Sequence, residues 1–297
     1  NSTAALQLRD LILSKTSTNA AEFYKNGRSL TISGKVSTKV SFEKTAQWHF
    51  IAFPYAVTGV RKSDGTTVAV LGTDYSLGWY DPAARATNIS GWKSTTESMV
   101  AGKGYLINKK SVLEDLYFDS SLQGGDNMFN TTATVGVTYT TGLPANLPCN
   151  YGWNFVAHPL SAKGTPSLTD GEFAYNYNPA NDSYKLYYYM YNPGYTYTAG
   201  GLKPFDAYFI KSAAAGNVSY GLTNPQGVRR QNAPAATTEE LVVMNLNANS
   251  NQYETLVRLL PEATAAHDEL YDAPYSLPQS NSTPQLYTLI AADKYAL

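Results

Sequence analysis

Gln47-Trp48-His49-Phe50-Ile51-Ala52-Phe53-Pro54 returns later in the chain as Gly152-Trp153-Asn154-Phe155-Val156-Ala157-His158-Pro159. The two tryptophans are offset by 105 residues (153 − 48). Two more pairs of blocks follow in the same order. Tyr80-Asp81-Pro82-Ala83 matches Tyr177-Asn178-Pro179-Ala180 at an offset of 97 (177 − 80). Lys103-Gly104-Tyr105-Leu106-Ile107-Asn108-Lys109 matches Asp206-Ala207-Tyr208-Phe209-Ile210-Lys211-Ser212 at an offset of 103 (206 − 103). Three ordered blocks imply an internal duplication, with one unit over residues 28–130 and a second over 131–232.

The matched blocks also indicate the kind of unit. Each Trp-x-Phe-aliphatic-Ala-x-Pro block is apolar at odd and even positions alike, as a strand covered on both faces must be. Pro54 and Pro159 end it, because proline cannot donate to a β-ladder. Trp48 and Trp153 are then expected as core anchors. Gly102-Lys103-Gly104 supplies a turn that tolerates positive φ. It lacks the Lys-Ser/Thr ending and the strand–helix context of a phosphate loop.

The surrounding sequence repeats the strand signature. Leu30, Ile32, Val36, Val40 and Phe42 occupy even positions with polar residues mostly between them, a period-two pattern with one buried face. Ser63-Asp64-Gly65-Thr66 divides Val57–Val60 from Val68–Leu71 as an Asp-Gly hairpin. Further short strands are expected at 105–107, 135–139, 184–191, 208–210, 241–244 and 254–257. Gly, Pro, Asn and Asp separate them, which favours sandwiches over a βαβ sheet. The fold class expected is all-β, with tandem β-sandwich-like units and a short helical N-terminal segment over residues 1–27. In that segment Leu8, Leu11 and Ile12 share a helical face, and Asn19 caps a second turn ending at Gly27. A linker at 227–238 leads to a C-terminal β unit, residues 233–297.

Composition narrows the function. Hydrophobic residues make up 43% of the 297, yet only 15% are charged, and the formal net charge is -1. No run of Lys or Arg exceeds a pair, so the basic footprint of nucleic-acid or anionic-membrane binding is missing. No stretch approaches the roughly 18 apolar residues of a membrane-spanning helix. With 24 Tyr, and Thr, Ser and Asn supplying the polar surface, the usage suits an exported β-protein. The sole cysteine, Cys149, has no intrachain partner for a disulfide.

The motif order resembles the repeated module of large exported Bacteroidetes surface proteins, in which an "aGkGY" block alternates with a "gWNlvGNP" block. Ala101-Gly102-Lys103-Gly104-Tyr105 and Gly152-Trp153-Asn154 carry the resemblance; Ala157-His158 stands where that family has Gly-Asn. Leu241–Leu246, Tyr253–Leu259, Ala263–Ala273, Gln285-Leu286-Tyr287 and Lys294-Tyr295-Ala296-Leu297 resemble the domain that follows the module in the same proteins. The resemblance spans roughly residues 30–297. It implies export, β-sandwich architecture and a secreted or outer-surface location, with no catalytic residues.

Candidate chemistry is sparse. His49, His158 and His267 lie in no HExxH context, and no Gly-x-Ser-x-Gly elbow is present. His49 matches Asn154 and His158 matches Phe53, so neither histidine is kept between the units. The acidic set Asp268, Glu269 and Asp272 is the candidate for Ca²⁺. The candidate ligand surface is tyrosine-rich: Tyr184, Tyr187, Tyr189 and Tyr191, with Asn192 beside them. On a strand the last three tyrosines share one face and could stack on sugar rings. The expected function is a non-catalytic exported protein with a structural, adhesive or ligand-presenting role, its partner an extracellular glycan or surface protein. The alternatives are a glycan-binding protein using the tyrosine row, and an accessory region of a surface glycoside hydrolase. In the latter, Asp170, Glu172 and Asp182 near the tyrosines would be the carboxylates to examine.

Overall fold

The structure is a computed structural model, and it describes residues 5–16, 19–25, 27–42, 48–87, 91–109, 114–121, 127–140, 151–167, 173–177, 186–192, 195–196, 202–222, 240–248, 251–259, 273–274, 288–290 and 293–296. The chain is predominantly β. Eleven strands precede residue 140: β1 (Leu6–Leu8), β2 (Leu11–Lys15), β3 (Leu30–Ile32), β4 (Val36–Val40), β5 (Trp48–Ala52), β6 (Gly59–Arg61), β7 (Tyr75–Tyr80), β8 (Trp92–Thr95), β9 (Gly104–Lys109), β10 (Leu116–Ser120) and β11 (Thr132–Val137). One five-residue helix, α1 (Pro82–Ala86), sits among them, with Asp81 accepting from the Ala83 and Ala84 amides as its cap. Then come β12 (Trp153–Ala157), β13 (Gly164–Ser167), β14 (Phe173–Tyr177), β15 (Leu186–Asn192), β16 (Tyr195–Thr196), β17 (Ala207–Lys211) and β18 (Gly216–Leu222). The C-terminal part holds the long antiparallel pair β19 (Glu240–Ala248) and β20 (Asn251–Leu259). It also holds a small sheet of β21 (Ala273–Pro274), β22 (Thr288–Ile290) and β23 (Asp293–Ala296).

Apart from the two-stranded parallel sheet β1-β3, the strands from Leu11 to Leu222 stack as four sheets. The outer sheet β2-β4-β10-β6 covers β5-β9-β7-β8, which packs on β12-β17-β14-β15-β16, which β11-β18-β13 covers in turn. Strand order is therefore the same on both sides of the middle: β4-β10-β6 with β5-β9-β7-β8, and β11-β18-β13 with β12-β17-β14-β15. The first sandwich carries one extra strand, β2, on the outer edge of β4.

Burial explains the sequence patterns. Leu30, Ile32, Val36, Val40 and Phe42 all enter the first core, as the period-two alternation requires. In β12 and β17 both parities are buried. Val156, Tyr208 and Ile210 face the second core, while Trp153, Phe155, Ala157, Ala207 and Phe209 face the other sandwich. The Asp-Gly turn forms with Gly65 at φ 73° and Asp64 accepting from Thr66 and Thr67 amides. Its returning arm pairs with β6 only through the Arg61–Val68 bridge.

The N-terminal helical segment is not formed. Leu6–Leu8 and Leu11–Lys15 are strands, parallel to β3 and β4 respectively, and described residues 19–25 contain no helical turn. The helical spacing of Leu8, Leu11 and Ile12 is overridden by an open strand edge that supplies backbone partners to the whole segment. Burial there follows period two: Leu13 and Lys15 are buried while Ile12 is 54% exposed.

The two sandwiches meet through a reciprocal junction. The Ala52 amide donates to the Phe205 carbonyl at 3.2 Å, and the Ala157 amide donates to the Gly102 carbonyl at 3.0 Å. Ala52 corresponds to Ala157 in the repeat, and Gly102 to Phe205. Both acceptors have positive φ, 80° for Gly102 and 63° for Phe205. A left-handed non-glycine residue costs roughly 1–2 kcal/mol. The fully buried Phe205 ring, inserted into the first sandwich's core, offsets it. Between the sheets the Phe155 ring lies 4.6 Å from Phe209, 4.8 Å from Phe50 and 5.1 Å from Trp92. A Cβ on Gly104 would come within 2.6 Å of the same ring, so this position must be glycine. Phe155→Ala should cost about 3–5 kcal/mol in urea denaturation, the usual price of emptying a large aromatic site. A loss below 1 kcal/mol would show that the junction does not hold the sandwiches together.

Candidate functional site

The turn before β9 joins the junction on one side and opens onto a groove on the other. Gly102, with its positive φ, turns the chain so that its carbonyl meets Ala157 while Lys103 bridges to Val156. The Lys103 ammonium lies over the Trp79 ring, 3.8 Å from its centroid, with Tyr105 at 5.8 Å. Such contacts are worth on the order of 0.5–2 kcal/mol. Partial burial holds the Lys103 pKa below the ordinary lysine value, with the more distant Glu97 and Asp81 acting in the opposite direction. Among the described residues no carboxylate lies within ion-pair distance of it.

The groove runs along β11. Its volume is about 940 Å³, and it is lined by residues 132–136 of β11, 219–221 of β18 and Ser167 of β13, together with Lys103, Pro54, Met128 and Pro159. The groove thus touches all three strands of this sheet, with β11 as an edge strand among the described residues. Asn154 pins the far end of β11: its side-chain oxygen accepts from the Thr138 amide at 2.8 Å, and its amide donates to the Thr138 carbonyl at 2.9 Å. Backbone groups, hydroxyls and one ammonium suit a polar extended ligand.

The N-terminal segment straps the first sandwich to the second near this place. The Phe23 amide donates to the Ser161 carbonyl at 2.9 Å, and the Ser161 hydroxyl donates to the Phe23 carbonyl at 2.8 Å. Glu22 accepts from the Lys163 amide at 3.1 Å and pairs with its ammonium at 3.2 Å. Lys15, at the end of β2, forms an ion pair with Asp206. In the same outer sheet as β2, Arg61 grips Asp119 with two nitrogens, both at 2.6 Å, and Ser37 donates to the same carboxylate at 2.7 Å. Burial raises the Asp119 carboxyl, and the Arg61 and Ser37 contacts outweigh it, leaving the pKa below the usual range.

The residues singled out in the sequence are placed unevenly. Tyr187, Tyr189, Tyr191 and Asn192 lie in β15, opposite Asn176, Ala174, Thr196 and Tyr195 respectively. The three tyrosines thus fall at alternate register positions of one strand. Tyr184, Cys149, His267 and the set Asp268, Glu269 and Asp272 lie outside the described residues, as do Asp170, Glu172 and Asp182. His49 stacks edge-on against Phe42 at 5.6 Å. No group of three or more metal-ligating side chains occurs among the described residues. No helix among them is long and apolar enough to cross a membrane. The groove itself escaped the sequence reading. The one available signal was the exchange of Lys103 for Asp206, a charge reversal just before the matching Tyr-x-Ile of the two blocks.

His158 is fully buried beside Tyr220, its Nδ1 accepting from the Leu160 amide at 3.2 Å. Burial pushes its pKa down to about 4, against smaller upward pulls from the Leu160 backbone, Asp206, the Gly164 backbone and Glu22. Comparison with family models, curated proteins and solved structures gives no match for this chain.

The His158 environment has a measurable consequence. Its folded pKa lies below the ordinary value of 6.5, so the unfolded chain binds the extra proton first as pH falls. The neutral ring's contribution is complete above pH 6.5 and should disappear between 6.5 and about 4, amounting to on the order of 3 kcal/mol. Asp119 adds loss at lower pH still, because its carboxylate is favoured in the fold. Urea titrations at pH 7, 5.5 and 4.5 should show this slope in the wild type and a flatter one in His158→Gln. Equal slopes in the two proteins would rule out the buried histidine as the cause.

Proposed function

We propose that this chain is a non-catalytic, exported surface protein with a structural, adhesive or ligand-presenting role, and that its two sandwiches descend from one duplicated unit. The observation that carries the reading is the use to which the repeated residues are put. Trp153, Tyr105, Tyr208, Ile107 and Ile210 are buried in cores or at the junction, and the Gly102 and Phe205 turns lock one sandwich onto the other. The repeated blocks thus encode packing. The common strand order and the exchanged hydrogen bonds between Ala52, Phe205, Ala157 and Gly102 support descent from one unit. Low charge, abundant Tyr, Thr and Ser, and the resemblance to exported Bacteroidetes modules support an extracellular location.

Presentation of a glycan-binding surface is the second reading, favoured by the register of β15. Tyr187, Tyr189 and Tyr191 recur at every second position of a strand hydrogen-bonded on both sides. Protease treatment of intact source cells, followed with antibody to the chain, tests the location: digestion without lysis is expected, and protection until lysis would overturn export. A glycan array on the purified chain, repeated with a folded Tyr187→Ala/Tyr189→Ala variant, tests the second reading. Specific binding that the variant loses is expected of a tyrosine platform; binding that survives it would sink that platform.

A further inference from the structure

We propose that the outer edge of β11 accepts an extended peptide strand from a partner protein, laid parallel to β11, with an acidic residue facing Lys103. The proposal rests on the matching strand order and not on its ancestry or on where the protein resides. Failure of the peptide experiment below and failure of the cell-surface experiment are therefore separate results.

The first sandwich displays the filled version of this edge. There β2 lies parallel to β4, from Leu11 opposite Val36 to Lys15 opposite Val40. The Leu11 amide donates to the Lys35 carbonyl at 2.9 Å, and the Ser41 amide donates to the Lys15 carbonyl at 2.8 Å. Leu13 is buried in the core, and the Lys15 ammonium pairs with Asp206. In the second sandwich the strand in the place of β4 is β11. The rung Thr38–Phe118–Val60 answers to the rung Ala133–Tyr220–Pro166, each with a buried aromatic at its centre. Two residues along, Val40 answers to Val135, both buried and facing Leu116 and Val218. Among the described residues β11 pairs with β18 alone, so its other edge has no strand beside it there, and the groove it lines with Lys103 reaches across the sheet to Ser219 of β18 and Ser167 of β13.

The charge at that groove is the reverse of the one beside β2. Asp206 receives Lys15 in the first case, and the repeat aligns Asp206 with Lys103. A strand laid on β11 in the register of β2 would place opposite Val135 the residue that answers to Lys15, beside the Lys103 ammonium. A carboxylate there reproduces the ion pair with the signs exchanged. Lysine there would set two ammonium groups together, which argues against β2 of a second copy as the occupant. Leu13 precedes Lys15 by two residues, so the recognised pattern is an apolar residue, any residue, then Asp or Glu. Main-chain hydrogen bonds supply affinity in this mode, and side chains at alternate positions supply selection.

Fluorescence anisotropy with the full chain and two labelled octapeptides tests this. One peptide is residues 9–16 of the chain itself, and the other is that sequence with Lys15→Asp. The acidic peptide should bind saturably, and the unaltered one at least about tenfold more weakly, as loss of a partly desolvated charge pair predicts. Lys103→Glu should invert that preference. Gly136 answers to Ser41, whose amide serves the added strand, so Gly136→Pro should abolish binding while proline at an outward edge position leaves the fold intact. Thermal melts of both variants verify folding. No saturable binding of the acidic peptide, equal affinity for the two peptides, or a preference unmoved by Lys103→Glu would each overturn the proposal.

Discussion

The exchange of backbone hydrogen bonds at the junction is the constraint on which the rest of this molecule depends. Ala52 reaches the Phe205 carbonyl, and Ala157 reaches the Gly102 carbonyl. For both to form, the turns before β9 and β17 must adopt left-handed backbone, and the inner sheets must lie face to face. That contact buries nearly all of β9, β12 and β17, together with Ile51 and Ala52 of β5. An unpaired polar group there would cost about 1–3 kcal/mol, so the inner strands must satisfy their main chain within the sheets. Glycine meets the requirement at position 102 with no conformational cost. At 205 the chain meets it with phenylalanine, and the ring becomes a plug in the neighbouring core.

Pseudo-symmetric packing makes the departures from symmetry informative. The N-terminal segment breaks it first, adding β2 to one outer sheet and strapping across to Ser161 and Lys163 of the other sandwich. The exchange of Lys103 for Asp206 breaks it second, at the residue that faces the added strand. Phe53 and His158 break it third: the same repeat position holds an aromatic ring in one core and an imidazole in the other. The neutral imidazole is tolerated because Leu160 supplies a backbone donor and because burial suppresses protonation. Each asymmetry sits where the two sandwiches differ in what lies alongside them.

This distribution separates packing from recognition. Trp153, Tyr105, Tyr208, Ile107 and Ile210 of the matched blocks are inside, where shape decides identity, whereas Trp48, expected as a core anchor, is only half-buried. The Lys103 ammonium, the β11 edge and the tyrosines of β15 are not shared by both units. Recognition assigned to any of them would therefore be a property of one sandwich and not of the strand order the two have in common.

By itself the sequence determined the all-β class, the strands within 30–42, those of the two Trp-x-Phe blocks and those around 105–107 and 208–210, and the correspondence of blocks, because each is written in local periodicity and repetition. Period-two burial and apolar runs closed by proline are short-range signals that survive in a single chain. The N-terminal segment misled for the complementary reason. Leu8, Leu11 and Ile12 satisfy a helical spacing, and only their partners in β3 and β4, 24 (32 − 8) or 25 (36 − 11) residues further on, convert them into strands. The same holds for the groove: nothing near Thr132 announces it, since Pro54, Lys103 and Pro159 reach it from distant parts of the chain. Phe205 shows the limit most plainly. Its left-handed backbone contradicts local preference, and tertiary structure alone imposes it, through a hydrogen bond to Ala52 and a core that closes around its ring.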